Sequence, residues 1–103
     1  MSTPEGRVKK KVKEVIAKYG DKIDSYWPVP AGYGESHLDC ILCVCGLFVA
    51  IETKAPKGKL TPRQQHRVRT TSLAGGKVFI IDGTPDTDTY DELDAWLALA
   101  VRK

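Results

Sequence analysis

A chain of 103 residues with 42% hydrophobic and 28% charged side chains fits one domain over residues 1–103 with one modest core, which excludes large inserted subdomains and a disordered tail. No apolar run approaches the ~20 residues of a membrane helix, and the polar, basic N-terminus lacks an apolar signal core, so a cytoplasmic protein is expected. The net charge of +3 hides an asymmetry: residues 1–81 hold 14 Lys/Arg against 7 Asp/Glu, whereas residues 82–103 hold 2 against 6, so a polyanion would be met on the earlier part.

Thr3, Pro4 and Glu5 read as an N-cap, a first-turn proline and a first-turn acid. Val8, Val12, Val15, Ile16 and Tyr19 then fall on one face of a helix predicted to end near Gly20, with Lys9, Lys10, Lys13 and Glu14 elsewhere on the cylinder. Ile23, Tyr26, Trp27 and Val29 suggest a short strand, followed by a Gly- and Pro-containing loop over 30–36 that is a candidate substrate edge. Apolar runs over 38–44 and 47–54, joined near Cys45-Gly46, predict a β-hairpin. Thr61-Pro62 opens a second helix to about Ala74, closed by Gly75-Gly76. Residues 77–82 read as a buried strand, and Thr89-x-x-Glu92 as the capping box of a last helix with Leu93, Trp96, Leu97 and Ala100 inward. The order α-β-β-β-α-β-α predicts an α/β fold, a mixed sheet flanked by helices.

Residues two apart in a strand share a face, so Glu52 and Lys54 should project together. A turn about Cys45-Gly46 would place Asp39 directly opposite Glu52, with Cβ atoms about 4.5–5.5 Å apart. Two carboxylates at that distance should not both stay ionised without a cation between them. Oxygen ligands without a histidine pair or thiolate favour Mg²⁺ or Mn²⁺ over Zn²⁺. Such a site suits phosphodiester hydrolysis, with Lys54 meeting the growing negative charge. On spacing alone, an ordinary cross-strand ion cluster fits equally. A slip of register by one residue would separate the two acids.

Two further residues have double readings. Glu5 lies on the apolar stripe one turn before Val8, where an acid either favours the helix dipole or serves a site. Gln64 completes a capping box with Thr61, or orients a water or phosphate. Residues 53–81 carry Lys54, Lys57, Lys59, Arg63, Arg67, Arg69 and Lys77 and, beside them, no acid. Arg63 and Arg67 share a helix face, and Lys57 and Lys59 flank Gly58 in what reads as a flexible loop. Phosphate contacts of this kind hold DNA without reading its sequence. Tyr33, between two glycines, either stacks on a base or packs.

Cys40, Cys43 and Cys45 are an odd number without a disulfide framework, which leaves free thiols as the expectation. With His37 they offer zinc-ligand types, but on a strand Cys40 points away from Cys43, Cys45 and His37, so four ligands cannot converge. Thiols buried as small hydrophobes are expected instead.

The stretches Gly34-Glu-Ser-His-Leu-Asp39, Gly46-Leu-Phe-Val-Ala-Ile-Glu-Thr-Lys-Ala-Pro56, Thr61-Pro-Arg-Gln64 and Ala74-Gly-Gly-Lys-Val78 together resemble the virus-type replication-repair nuclease (VRR-NUC) domain of the PD-(D/E)XK superfamily, in its short stand-alone phage form. The resemblance covers nearly the whole chain and departs at His37-Leu38, where the family has proline or a small residue. It implies a restriction-endonuclease-like core in which Asp39, Glu52 and the Thr53 carbonyl hold the metal. Lys54 would be catalytic, Gln64 would lie beside it, and Glu5 would match the first-helix acid. It also implies a homodimer acting on branched DNA such as four-way junctions, in repair or recombination. The rival expectations are a DNA-binding module without turnover, and a nuclease of linear or single-stranded DNA without branch preference.

Overall fold

The computed structural model describes residues 3–28 and 38–102. In chain order these form α1 (Pro4–Ala17), a 3-10 turn (Gly20–Lys22), β1 (Ile23–Tyr26), β2 (Cys40–Val44), β3 (Leu47–Thr53), α2 (Pro62–Leu73), β4 (Lys77–Ile81) and α3 (Tyr90–Ala100). The fold is α/β, with three helices on a four-stranded mixed sheet in the order β1-β2-β3-β4. Among the described residues no helix is long and apolar enough to cross a membrane. Val29, Tyr33, His37 and the predicted substrate loop lie outside the described residues.

Each helix begins where a threonine oxygen takes an otherwise unpaired amide. Thr3 accepts from Gly6 N at 2.9 Å, Thr61 from Gln64 N at 3.2 Å and Thr89 from Glu92 N at 3.1 Å. Both predicted capping boxes are closed, by Gln64 and by Glu92.

The hairpin turn consists of Cys45 and Gly46, with φ of 49° and 88°. Left-handed backbone at both positions gives a two-residue connection whose twist matches the strands it joins. Glycine adopts it freely, whereas Cys45 carries the strain of an L-residue there. The antiparallel pairs from Cys40↔Ile51 to Val44↔Leu47 follow the predicted register and place Asp39 opposite Glu52 one step beyond the ladder. β1 pairs antiparallel with β2, and β4 parallel with β3.

Alternation then assigns the faces. Ile23, Leu42, Val44, Val49, Ile51, Phe79 and Ile81 point to one side, where Val8, Val12 and Ile16 of α1 and Leu93, Leu97 and Ala100 of α3 complete the core. Burying Leu93 and Leu97, neither of them exposed, contributes about 1.5–3 kcal/mol each. The other face presents Phe48, Ala50 and Glu52 toward α2, which has no fully buried residue of its own. Between these layers β3 is buried from Val49 to Thr53, as an interior strand with a parallel neighbour should be.

Three expectations need correction. α1 stops at Ala17, not near Gly20, and Tyr19 donates its hydroxyl to the Asp94 carbonyl of α3 at 2.9 Å. The 3-10 turn that follows, with Gly20 at φ 57°, redirects the chain into β1. The strand expected over 38–44 starts only at Cys40, because the Asp39 carboxylate, in place of a backbone carbonyl, accepts the Thr53 N–H. Trp96 faces inward as expected: half-buried, it packs on the core with its ring edge-on to Phe79 at 5.9 Å. Of the three free thiols only Cys40 is buried; Cys43 and Cys45 are exposed, because Cys45 lies in the turn and Cys43 faces the side of the hairpin that lacks the core.

Candidate metal centre

Three carboxylates converge at one end of the sheet. Glu5 comes from the first turn of α1, Asp39 from the bend before β2 and Glu52 from β3, and one oxygen of each lies within 4.8 Å of the others. The helical stripe delivers Glu5, since Val8 one turn on is buried against the core. The hairpin register delivers Asp39 and Glu52.

The surrounding groups fix these carboxylates. Glu52 Oε1 accepts from Asp39 N at 3.2 Å, and Oε2 accepts from Gln64 Nε2 at 2.9 Å, with Lys54 Nζ at 3.6 Å. Asp39 Oδ2 accepts from Thr53 N at 3.0 Å and Thr53 Oγ1 at 2.7 Å. Thr53 is itself fully buried. Gln64 closes the capping box and also reaches the acid cluster: Oε1 accepts from Thr61 N at 2.9 Å while Nε2 donates to Glu52 Oε2 at 2.9 Å. One amide thereby ties the start of α2 to the acid cluster.

Glu52 is 1% exposed, and burial pushes its carboxyl up to about 7, with the Asp39 charge adding to the rise and Lys54 opposing it. Three carboxylates facing one lysine form a site of net negative charge, and a divalent cation relieves the repulsion that a proton otherwise relieves. The donors are hard oxygens, which fit Mg²⁺ or Mn²⁺. Burial, with the Asp39 charge adding to it, pushes the neighbouring Cys40 thiol up to about 12, and among the described residues no cysteine joins the carboxylate cluster.

Asp82, which the sequence reading treats only as the end of a strand, is 2% exposed at the close of β4. Its Oδ1 accepts from Thr84 N at 2.8 Å, Thr84 Oγ1 at 2.6 Å and Thr87 Oγ1 at 2.9 Å, and its Oδ2 from Lys57 N at 3.2 Å. Burial raises its pKa, but these donors outweigh that effect and hold the carboxyl below the usual range. The spacing Asp82-x-Thr84 after an apolar run carries an aspartate-turn signal; the contact with Lys57 has no local signal. Residues 55–58 are therefore a tethered turn rather than a flexible loop. Gly58 N donates to Ala55 O at 2.7 Å, Lys57 sits at φ 63°, and a Cβ on Gly58 would lie 2.9 Å from Ala55 O.

The basic residues divide. Lys57, Lys59, Arg63 and Arg69 are exposed. Arg63 precedes Gln64 in the first turn of α2. Arg67 is half-buried and lines a groove with Phe48, Thr70 and Thr71. Arg69 lies 3.5 Å from His66 Nδ1 on the outer side of α2.

No protein-family model, curated protein or solved structure matches the chain.

Proposed function

We propose that the protein is a Mg²⁺- or Mn²⁺-dependent DNA endonuclease with a restriction-endonuclease-like core of the VRR-NUC type. The observation that carries this reading is a buried glutamate, Glu52, held within one small volume beside Asp39, Glu5, Lys54 and Gln64. A solvated ion cluster needs no glutamate at 1% exposure and no buried threonine to hold the facing aspartate.

Glu5, Asp39 and Glu52, with the Thr53 carbonyl, would hold the cation, which supplies Lewis acidity for attack of water on phosphorus. Thr53 holds the Asp39 carboxylate in place, and Gln64 does the same for Glu52. The Lys54 ammonium stands where negative charge grows on the phosphoryl oxygens and offsets it in a partly dehydrated setting. Lys57, Lys59, Arg63, Arg67 and Arg69 supply phosphate contacts that position the strand without reading bases. Action on branched DNA such as four-way junctions, as a phage-type homodimer in the host cytoplasm, is the form that the motif resemblance supports.

The test is cleavage of a four-way junction, a flap, a linear duplex and a single strand with Mg²⁺, Mn²⁺ or EDTA, using wild type, Glu52→Gln and Lys54→Ala. Metal-dependent cuts lost in both variants, with DNA affinity retained, are expected. DNA that is bound and never cut by the wild type refutes the reading in favour of a DNA-binding module. Cutting of every substrate at equal rates refutes branch selectivity alone.

A further inference from the structure

Glu5, Lys9 and Lys13 recur at intervals of four along α1, so they form one row along the helix. The row starts at the acid cluster through Glu5. A rise of 1.5 Å per residue places Lys9 about 6 Å and Lys13 about 12 Å farther along the axis. Both lysines stand over the half-buried indole of Trp27, just after β1, with Nζ 5.9 Å and 4.8 Å from the ring centroid. Beside them opens a groove of about 330 Å³ whose walls include Lys13, Ile16, Ala17, Ile23 and Trp27, with no acidic residue among the described residues that line it. That volume falls within the range of clefts that bind small organic groups.

Two ammonium groups at this spacing repel each other, and among the described residues neither forms an ion pair. The Trp27 indole offsets the repulsion in part, and a phosphate bridging the two would offset it further. The apolar wall of Ile16, Ile23 and Trp27 supplies what a base needs, a flat aromatic surface and protection from water.

We propose that this groove is a second DNA contact, a subsite for one unpaired nucleotide of the strand leading away from the carboxylates, with its phosphates on Lys9 and Lys13 and its base against Trp27. The subsite lies on the α1 side of the acid cluster, whereas the basic residues of α2 lie on the other face of the sheet. The direction of the strand rests on the nuclease reading; binding in the groove does not.

The experiment measures binding of a dye-labelled oligodeoxythymidylate by anisotropy, in EDTA and over a salt series, with helicity and melting recorded for each variant. Lys9→Gln with Lys13→Gln should weaken binding about tenfold at moderate salt. It should also make the log-log salt slope shallower by roughly 1.4, at ~0.7 per phosphate contact on a single strand. Trp27→Leu should weaken binding by about tenfold, and Trp27→Phe should restore most of it. Lysines that merely pack on the indole would shift melting and leave the slope unchanged. An unchanged slope and affinity in the double variant, or no binding of the oligonucleotide by the wild type, overturns the proposal. The same variants are assayed separately for junction cutting in Mg²⁺. Lysine-dependent binding by a wild type that never cuts keeps the subsite and removes the nuclease reading, while cutting with an unchanged salt slope does the reverse.

Discussion

Replacing Glu52 with glutamine should remove a loss of stability that the wild type suffers as pH rises toward neutrality. In the folded chain the Glu52 carboxyl lies at about 7 rather than its ordinary 4.5, chiefly through burial and secondly through Asp39. A carboxyl with a raised folded pKa binds more protons folded than unfolded between those two values. The contribution of Glu52 to stability is therefore greatest below about 4.5 and falls as pH rises toward 7. The interval corresponds to about 3 kcal/mol at ~1.4 kcal/mol per pH unit, most of it lost between about pH 5 and about pH 8. Urea unfolding in EDTA across that range should show wild type losing about 2–3 kcal/mol relative to Glu52→Gln. Other titrating groups, such as Asp82, are common to both proteins and cancel in the difference. Millimolar Mg²⁺ should remove most of the wild-type loss, because the cation takes the place of the proton, and should do little for the variant. Parallel stability curves for the two proteins in EDTA would show that Glu52 is neither raised by burial nor coupled to Asp39.

Asp82→Asn keeps an oxygen for Thr84 and Thr87 but sets an amide N–H₂ against the Lys57 N–H. It should cost about 2–3 kcal/mol, flatten the loss of stability below about pH 4, and speed hydrogen exchange at the Lys57 amide; unchanged exchange there would refute the tether. Gln64→Glu preserves the capping partner of Thr61 but turns a carboxylate oxygen toward Glu52 Oε2. The metal-free protein should lose about 1–2 kcal/mol near pH 8 and regain it with Mg²⁺, whereas a loss that Mg²⁺ leaves untouched would return Gln64 to capping alone. Arg63→Ala with Arg67→Ala should weaken duplex binding and reduce its salt slope by roughly 1.8, and an equal slope would remove α2 as a DNA contact. Glu5→Gln should lower metal-dependent turnover at least tenfold with a stability change under about 1 kcal/mol; the reverse ranking would make Glu5 a first-turn acid only.

Much of the fold was legible in the chain because its signals are local. Thr3, Thr61 and Thr89 mark helix starts through contacts spanning three residues. Gly46 beside Cys45 locates a two-residue turn, and the turn alone sets the register that brings Asp39 opposite Glu52. The helical period likewise separated core from surface at Val8, Val12 and Leu97. The same reasoning erred where a neighbour distant in sequence decided the outcome. Tyr19 leaves the helical path where it bonds Asp94, 75 residues on, and Asp39 stands outside β2 because its carboxylate serves Thr53.

What the sequence by itself determined is which residues can meet within an element and across the one tight hairpin: Glu52 beside Lys54, Glu5 on the inner stripe of α1, and Gln64 at the cap of α2. Only the tertiary structure decided that α1, the hairpin and α2 bring those residues to one end of the sheet, that Glu52 loses its water there, that Asp82 ties down the Lys57 turn, and that Lys9 and Lys13 meet Trp27. The reason is physical. Caps, turns and periodicity are set by backbone geometry over a few residues, whereas burial, electrostatic coupling and convergence depend on how separate elements pack, and residues far apart in the chain carry no local mark of that packing.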